Sequence, residues 1–342
     1  MPIFLVGLPV LAVIYIANLI ADRGGHGARL TFNLLLFLAN SLLVIAGLAL
    51  RFLPVESLET SVLAGLIPES ASAAASLVLM GLWGMLTCLK PIRQGLARAV
   101  PAFDPESPVH TLAFVAIGYL MGNAAFSLAP GALDALAEAG LEVTLLDVLS
   151  QQFLFVAAAF LGVGFLSRRD GLSLRQRLGL VRPTARQLLG GMGWMLFFVF
   201  LQGCISFTWT LFDSAQVEQL SGINKTMLGS FDTIWEWFLL AAAAGLGEEL
   251  LFRGALQPIF GIVPTSIIFA VSHVQYGLTP ATLAIFLLSV VLGIIRKRHN
   301  TTVAIIVHAG YNFTLGLLSL LAVYLQPFIE ETATSLLISL RF

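Results

Sequence analysis

A set of ionisable and amide side chains interrupts the apolar sequence toward the carboxyl end of the chain. These residues are Glu248, Glu249, Arg253, His273, His308 and Asn312. A carboxylate held in an apolar cavity can accept and return a proton near neutral pH. An imidazole N–H and an asparagine amide can donate hydrogen bonds to a developing oxyanion. Together, these residue types predict hydrolysis of an amide bond by an activated water.

Helical spacing separates the two glutamates. Glu249 and Arg253 stand at i and i+4, so they share a helix face and can form an ion pair that lowers the cost of burying both charges. Glu248 lies about 100° around the same helix, without a partner of its own. One glutamate is therefore free for chemistry. The alternative is that Glu248, Glu249 and Arg253 all belong to a buried ionic staple between helices.

Two further i, i+4 pairs complete the constellation. They are Phe269 with His273 and His308 with Asn312, and each pair occupies one helix face. We predict Glu248 as the general base and His273 as its partner in positioning the water. His308 and Asn312 are the predicted oxyanion stabilisers.

A metal centre is an alternative use of the same side chains. Two histidines and a glutamate form a known catalytic zinc set, so Glu248, His273 and His308 are the candidate zinc ligands. The sequence has no His-Glu-x-x-His pair, whose geometry is typical of such sites. The sequence also lacks the Gly-x-Ser-Gly turn that carries a serine nucleophile and the second of the two membrane-embedded aspartates that an intramembrane aspartyl protease needs. These two protease chemistries therefore fit the sequence less well. We therefore expect that no cofactor is required, and the zinc alternative stays open.

The composition places these residues in a membrane. The chain has 342 residues, of which 58% are hydrophobic and 11% charged, and its mean hydropathy is +0.93. A soluble domain carries about 25% charged residues, so a water-soluble enzyme is excluded. The balance of 18 basic and 19 acidic residues excludes a nucleic-acid-binding protein. What remains is a multi-pass protein, which we expect in the cell membrane.

Apolar stretches long enough to cross a bilayer predict an all-α transmembrane helix bundle of about ten spans. The predicted spans are 3–21, 30–50, 72–89, 109–130, 146–166, 187–211, 236–256, 263–276, 281–295 and 302–325. The first is expected to be a retained span, because it lacks a basic region and a cleavage signal.

The charges in the connections predict the orientation of the bundle. Arginine and lysine collect in alternate loops, and the intervening loops are acidic, as in 53–69. Basic loops face the cytoplasm, so both termini are predicted outside. On this topology Glu248, His273 and His308 all lie about 9–15 Å from the cytoplasmic ends of their helices, counted at 1.5 Å per residue. A common cavity that opens to the cytoplasm follows from this shared depth.

The longest basic connection, 167–186, divides the chain. We predict an amino-terminal region of five spans, 1–186, whose role the sequence does not indicate. A second region of five spans, 187–325, carries the candidate residues, and a tail follows at 326–342. The arginines of the dividing loop are interpreted as topology signals that contact anionic lipid.

The three motifs, in this order and on separate helices, resemble those of the CPBP (Abi) family, which is related to the type II CAAX prenyl endopeptidases and includes bacteriocin-immunity proteins. The motifs are Glu248-Glu249-x-x-x-Arg253, Phe269-x-x-x-His273 and His308-x-x-x-Asn312, within about 232–325. The resemblance implies a membrane-embedded endopeptidase in which Glu248 activates water, His273 assists, and His308 and Asn312 bind the oxyanion. Glu249, Arg253 and Phe269 would support them, and both metal-dependent and metal-free schemes exist for the family.

Two kinds of function remain compatible with the sequence. The first is a protease that acts on peptides or membrane proteins within the lipid bilayer. The second is a non-catalytic scaffold or bacteriocin-immunity protein that binds a peptide or partner in the same cavity. An unpaired glutamate beside two histidines and an asparagine favours the protease, because a scaffold has no need of that set.

Overall fold

A computed structural model describes residues 2–52, 70–127 and 131–339 of the chain. These residues form an all-α bundle without any strand. The acidic connection 53–69 and the end of the predicted span 109–130 lie outside the described residues. The helices of the amino-terminal region are α1 (Pro2–Arg23), α2 (His26–Phe52), α3 (Ser70–Cys88), α4 (Lys90–Ala99), α5 (Pro108–Ser127), α6 (Ala132–Ala139), α7 (Leu145–Gly162) and α8 (Gly171–Leu178).

The carboxyl-terminal region continues with helices of very different lengths. They are α9 (Ala185–Phe212), α10 (Ser214–Leu228), α11 (Ile234–Glu249), a π-helix (Leu250–Leu256), α12 (Gln257–Phe260), α13 (Ile262–Val271), a 3₁₀ turn (Val274–Tyr276), α14 (Pro280–Arg298) and α15 (Thr301–Ser339). The described part of the predicted tail, 326–342, is therefore a continuation of α15, which ends at Ser339.

Seven helices of the described chain are long and apolar enough to cross a membrane. They belong to α1, α2, α3, α7, α9, α14 and α15. The other three predicted spans correspond to α5, to α11 with its π-helix, and to α13. The helix α13 has only 10 residues, fewer than the roughly 20 that a helix needs to cross the hydrocarbon core. The multi-pass helical bundle is as predicted, and the orientation of its termini stays a prediction.

Hydrogen-bonded caps set the starts of the helices around the candidate residues. A threonine side chain accepts from the backbone N–H three residues later at the starts of α7, α9 and α11, where Thr144, Thr184 and Thr233 stand. In each case the side chain of that later residue accepts a hydrogen bond from the threonine N–H. Such capping boxes satisfy backbone groups that a helix start leaves unpaired.

Small residues allow α11 to lie at the centre of the bundle. It packs against α15 on one side and α7 on another. A methyl group added at Gly245 would lie 2.9 Å from the backbone nitrogen of Ala309 on α15. One added at Gly247 would lie 2.3 Å from Oε1 of Gln152 on α7. The two glycines therefore let α11 approach both neighbours closely enough for side chains of three helices to meet.

Candidate active site

The end of α11 and the π-helix carry the first motif. Glu248 and Glu249 close the regular helix, and Arg253 lies within the π-helix that follows. Short π-helical segments often occur at functional sites. Here the regular helix ends between Glu249 and Arg253, and both of these side chains are buried.

A buried ion pair joins Glu249 to Arg253. Nε of Arg253 donates to Oε2 of Glu249 at 3.1 Å, and both side chains are fully buried. Nη2 of Arg253 also donates to Oγ of Ser289 on α14, at 2.8 Å. Such a pair needs further hydrogen bonds to offset the loss of hydration. The Ser289 hydroxyl supplies one of them.

His308 contacts the second glutamate of the motif. Its Nδ1 lies 3.0 Å from Oε1 of Glu249, across from the arginine. Both carboxylate oxygens of Glu249 are thus engaged, one by α15 and one by the π-helix. Sequence spacing predicted only the Arg253 contact, because the His308 contact depends on how α11 and α15 pack.

Glu248 lies apart from this buried group. It is half-buried, and Nε2 of the buried Gln152 on α7 donates to its Oε1 at 3.3 Å. Its other oxygen, Oε2, is buried and has no hydrogen-bond partner within the described residues. Glu248 is therefore the carboxylate of the motif that is not committed to an ion pair.

Phe269 connects the three motifs. Its ring is 1% exposed and contacts the rings of His273 and His308, with centroids 4.8 and 5.9 Å apart. The Arg253 guanidinium carbon lies 5.1 Å from the centre of the same ring. One aromatic side chain thus sets the spacing between both histidines and the buried arginine.

The contacts of His273 define which of its nitrogens is free. Nδ1 lies 2.8 Å from the carbonyl oxygen of Phe269. Because a carbonyl only accepts, the hydrogen bond assigns the proton to Nδ1. In the neutral ring, Nε2 then carries a lone pair that can accept a hydrogen bond from a water.

Asn312 lies one helical turn after His308 on α15. It is half-buried, and its amide makes no hydrogen bond inside the described part of the chain. The i, i+4 spacing keeps its side chain on the same face as His308. The six polar residues predicted for the site therefore fall into two groups. Glu249, Arg253 and His308 form a buried triad, and Glu248, His273 and Asn312 are more accessible.

Comparison with known proteins identifies the segment that carries these residues. Residues 230–314 match the family model described as type II CAAX prenyl endopeptidase Rce1-like. The match is consistent with the CPBP resemblance, and it supports a protease of the CAAX type. The Rce1-like segment runs from the start of α11 into α15, so it includes every motif residue. No curated protein and no solved structure matches the chain.

A residue outside the Rce1-like segment completes the surroundings of Glu248. Gln152 belongs to α7, which lies in the amino-terminal region whose role the sequence did not indicate. A signal was present, because Gln151 and Gln152 are adjacent amides within a predicted span. Intramembrane polar residues are costly and mark functional positions. The amino-terminal region therefore supplies a direct contact to the candidate base.

The zinc alternative needs Glu248, His273 and His308 to converge on one point. Across the ranges 2–52, 70–127 and 131–339, no group of three or more histidine, cysteine, aspartate or glutamate side chains is arranged to hold a metal ion. Nδ1 of His308 faces Glu249, a contact that metal-binding histidines also make and that leaves Nε2 free. No chemical step is derived through a metal, and the zinc alternative stays a prediction.

Proposed function

We propose that this chain is an intramembrane endopeptidase that hydrolyses a peptide bond with water activated by Glu248. The observation that carries the proposal is that the two glutamates differ in their hydrogen-bond partners. Glu249 is bound by Arg253 and His308, whereas Oε2 of Glu248 has no partner among the described residues. A general base must be able to reach and accept the proton of its water.

We assign each step of the reaction to a side chain of the three motifs. Glu248 takes a proton from water while the oxygen attacks the peptide carbonyl carbon. Nε2 of His273 accepts the second water hydrogen in a hydrogen bond and so fixes the direction of attack. Glu248 then returns its proton to the leaving nitrogen as the carbon–nitrogen bond breaks.

The oxyanion that forms during attack is assigned to His308 and Asn312. Nδ1–H of His308 donates a hydrogen bond to Glu249. The ring can therefore donate a second hydrogen bond, from Nε2 to the oxyanion, only when both of its nitrogens are protonated. The carboxylate of Glu249 can support such a cationic ring directly. The Asn312 amide, one turn further along α15, offers a second donor. Removal of one donor of this kind typically costs about 100- to 1,000-fold in kcat.

The substrate is proposed to be a peptide or a membrane-proximal protein segment, cleaved in the cell membrane from the cytoplasmic side. The assay uses the full chain in proteoliposomes with an internally quenched peptide that ends in a Cys-a-a-X sequence, with and without a farnesyl group. A parallel assay compares the membrane and released peptides of cells that carry the parent or a variant. Together they test both a prenylated and an unprenylated substrate.

Glu248→Gln is the decisive variant, because it keeps the shape of the side chain and removes the base. We expect a loss of about 100- to 10,000-fold in turnover with an unchanged unfolding temperature. The matched control is Glu138→Gln, at an exposed glutamate of α6, which should cleave like the parent. A folded Glu248→Gln protein that matches the parent in both assays would contradict proteolysis and support the scaffold alternative.

A further inference from the structure

Arg177 contacts the π-helix and has three further arginines in its electrostatic surroundings, so that four arginines from three segments of the chain lie near one another. They are Arg168 and Arg169 after α7, Arg177 on α8, and Arg296 at the end of α14. We call them the arginine cluster. All four lie outside the motifs. Only Arg296 falls within the Rce1-like segment, so the proteolytic mechanism does not use the cluster.

Two members of the arginine cluster hold the main chain of the π-helix. Arg177 donates from Nη1 to the carbonyl of Gly254 at 2.7 Å and from Nη2 to that of Ala255 at 3.3 Å. Arg296 donates from Nε to the carbonyl of Arg253 at 3.1 Å. Successive carbonyls of the segment that carries the buried ion pair are therefore bound from two directions.

Hydrogen bonds fix the carboxyl-terminal end of α8, where Arg177 lies. The carbonyl of Leu178, the last residue of α8, accepts a hydrogen bond from Oγ1 of Thr301 at 2.5 Å. The next residue, Gly179, has a φ of 72°, a left-handed conformation that favours glycine. Its carbonyl accepts from the backbone N–H of Thr301 at 3.0 Å. These contacts tie α8 to the start of α15.

The neighbours that act on the charge of Arg177 are themselves positively charged. The charged groups that act on Arg177 are Arg169, Arg296 and Arg168, all of them cations. Burial first, and these neighbours next, lower the pKa of Arg177 to about 10. Within the described residues no ion pair joins any member to an acid. Asp170, adjacent in sequence, is exposed and instead caps α8 through Ser173.

Exposed apolar side chains lie close to the arginine cluster in sequence. Leu166, Leu172 and Val181 flank the arginines and are 65, 67 and 54% exposed. The segment also connects α7 and α9, which are both candidate membrane spans. Exposed leucines beside half-buried arginines are suited to the boundary between acyl chains and headgroups.

We propose that the arginine cluster binds the phosphate of an anionic phospholipid headgroup. A guanidinium matches the geometry of a phosphate through two parallel hydrogen bonds. Within the described residues, the Arg168 guanidinium and the two Nη groups of Arg296 make no hydrogen bond and are available for a phosphate. The flanking leucines and valine would contact the acyl chains of the same lipid. Because Arg177 and Arg296 also bind the π-helix carbonyls, the bound lipid would stabilise the segment that positions Glu249 and Arg253.

The test uses Arg168→Gln, because Arg168 is exposed and makes no side-chain hydrogen bond within the described residues. Its loss removes charge without releasing the π-helix. The control is Arg175→Gln on α8, an equal change in net charge at an exposed arginine outside the cluster. Thermal unfolding of the full chain in detergent is followed while short-chain phosphatidylglycerol, phosphatidylcholine or inorganic phosphate is added.

We expect phosphatidylglycerol to raise the unfolding temperature of the parent and of Arg175→Gln. Its apparent Kd should be about fivefold weaker for Arg168→Gln, since one basic residue at an anionic surface contributes about 1 kcal/mol. Equal responses of all three proteins, or equal effects of the two lipids, would overturn the proposal. Protection by inorganic phosphate alone at similar concentrations would also overturn it, because the site would then bind free phosphate. Proteolysis does not enter this readout, so failure here is separate from failure of the proposed function.

Discussion

Nδ1 of His308 lies 3.0 Å from Oε1 of Glu249, although 59 residues separate them in the chain. The contact ties the histidine of the third motif to the second glutamate of the first motif. Since Arg253 holds the opposite oxygen of that carboxylate, Glu249 acts as a bridge between α15 and the π-helix. Glu248, one residue earlier, is left for chemistry.

The bridge predicts unequal effects of the two glutamates on stability. Glu249→Gln removes the partner of a fully buried arginine, and breaking such a pair costs about 3–5 kcal/mol. We expect a loss of this size in the free energy of unfolding, measured in mixed micelles. Glu248→Gln should change it by much less. Equal losses from both variants would contradict the assignment.

A double substitution separates the charge of the pair from its packing. Glu249→Leu with Arg253→Met replaces two buried charges by apolar side chains of similar length. Such replacements are often neutral or stabilising. The double variant should therefore unfold at a higher denaturant concentration than Glu249→Gln. It should remain inactive, because His308 loses its partner.

The hydrogen bond from Gln152 predicts a role for the amino-terminal region in turnover. Gln152→Leu removes the Nε2 donor to Glu248 while it keeps an apolar side chain in the gap. A hydrogen bond to a charged group contributes about 1.5–3 kcal/mol, so we expect kcat to fall about tenfold or more with little change in KM. Gln151→Leu, at the exposed neighbouring glutamine, is the control. A similar loss from both variants, or a change in KM alone, would count against the role of Gln152.

The close approach of α11 and α15 is open to a test at Gly245. A methyl group there would lie 2.9 Å from the backbone nitrogen and from Cβ of Ala309. Overpacking of this kind costs about 1–3 kcal/mol. We expect Gly245→Ala to lower the unfolding temperature and the cleavage rate together, because it separates Glu248 from His308.

The control for that variant is Gly203→Ala on α9. A methyl group at Gly203 meets no atom within 4 Å, and alanine favours a helix over glycine by about 1 kcal/mol. This variant should keep the cleavage rate and unfold at the same or a higher temperature. If Gly245→Ala matches Gly203→Ala in cleavage rate and unfolding temperature, α11 and α15 accommodate the added methyl group, and their close approach at Gly245 is not required.

The zinc alternative is tested by metal removal. The purified chain is treated with a chelator, its zinc content is measured, and cleavage is assayed with and without added zinc. Because the described residues hold no group of three such ligands arranged around a metal ion, we expect unchanged cleavage and less than one zinc per chain. Loss of cleavage that zinc restores, together with lower zinc content in Glu248→Gln, would instead support zinc bound by Glu248, His273 and His308.

Sequence alone determined the features that depend on neighbours along the chain. Composition established a multi-pass helical protein, and i, i+4 spacing placed Glu249 beside Arg253 and Phe269 beside His273. It also singled out the residues that the Rce1-like match contains. These features follow from helix geometry and hydrophobicity, which a short stretch of sequence specifies.

Tertiary structure alone decided how the helix faces meet. The Gln152 contact to Glu248, the His308 contact to Glu249 and the arginine cluster all join residues far apart in the chain. Even the length of α13 departed from its predicted span, because an apolar stretch does not specify where the helix stops. Rotation and close approach of helices depend on packing at residues such as Gly245 and Gly247. No local pattern encodes that packing, so the pairing of the motif residues emerged only from the fold.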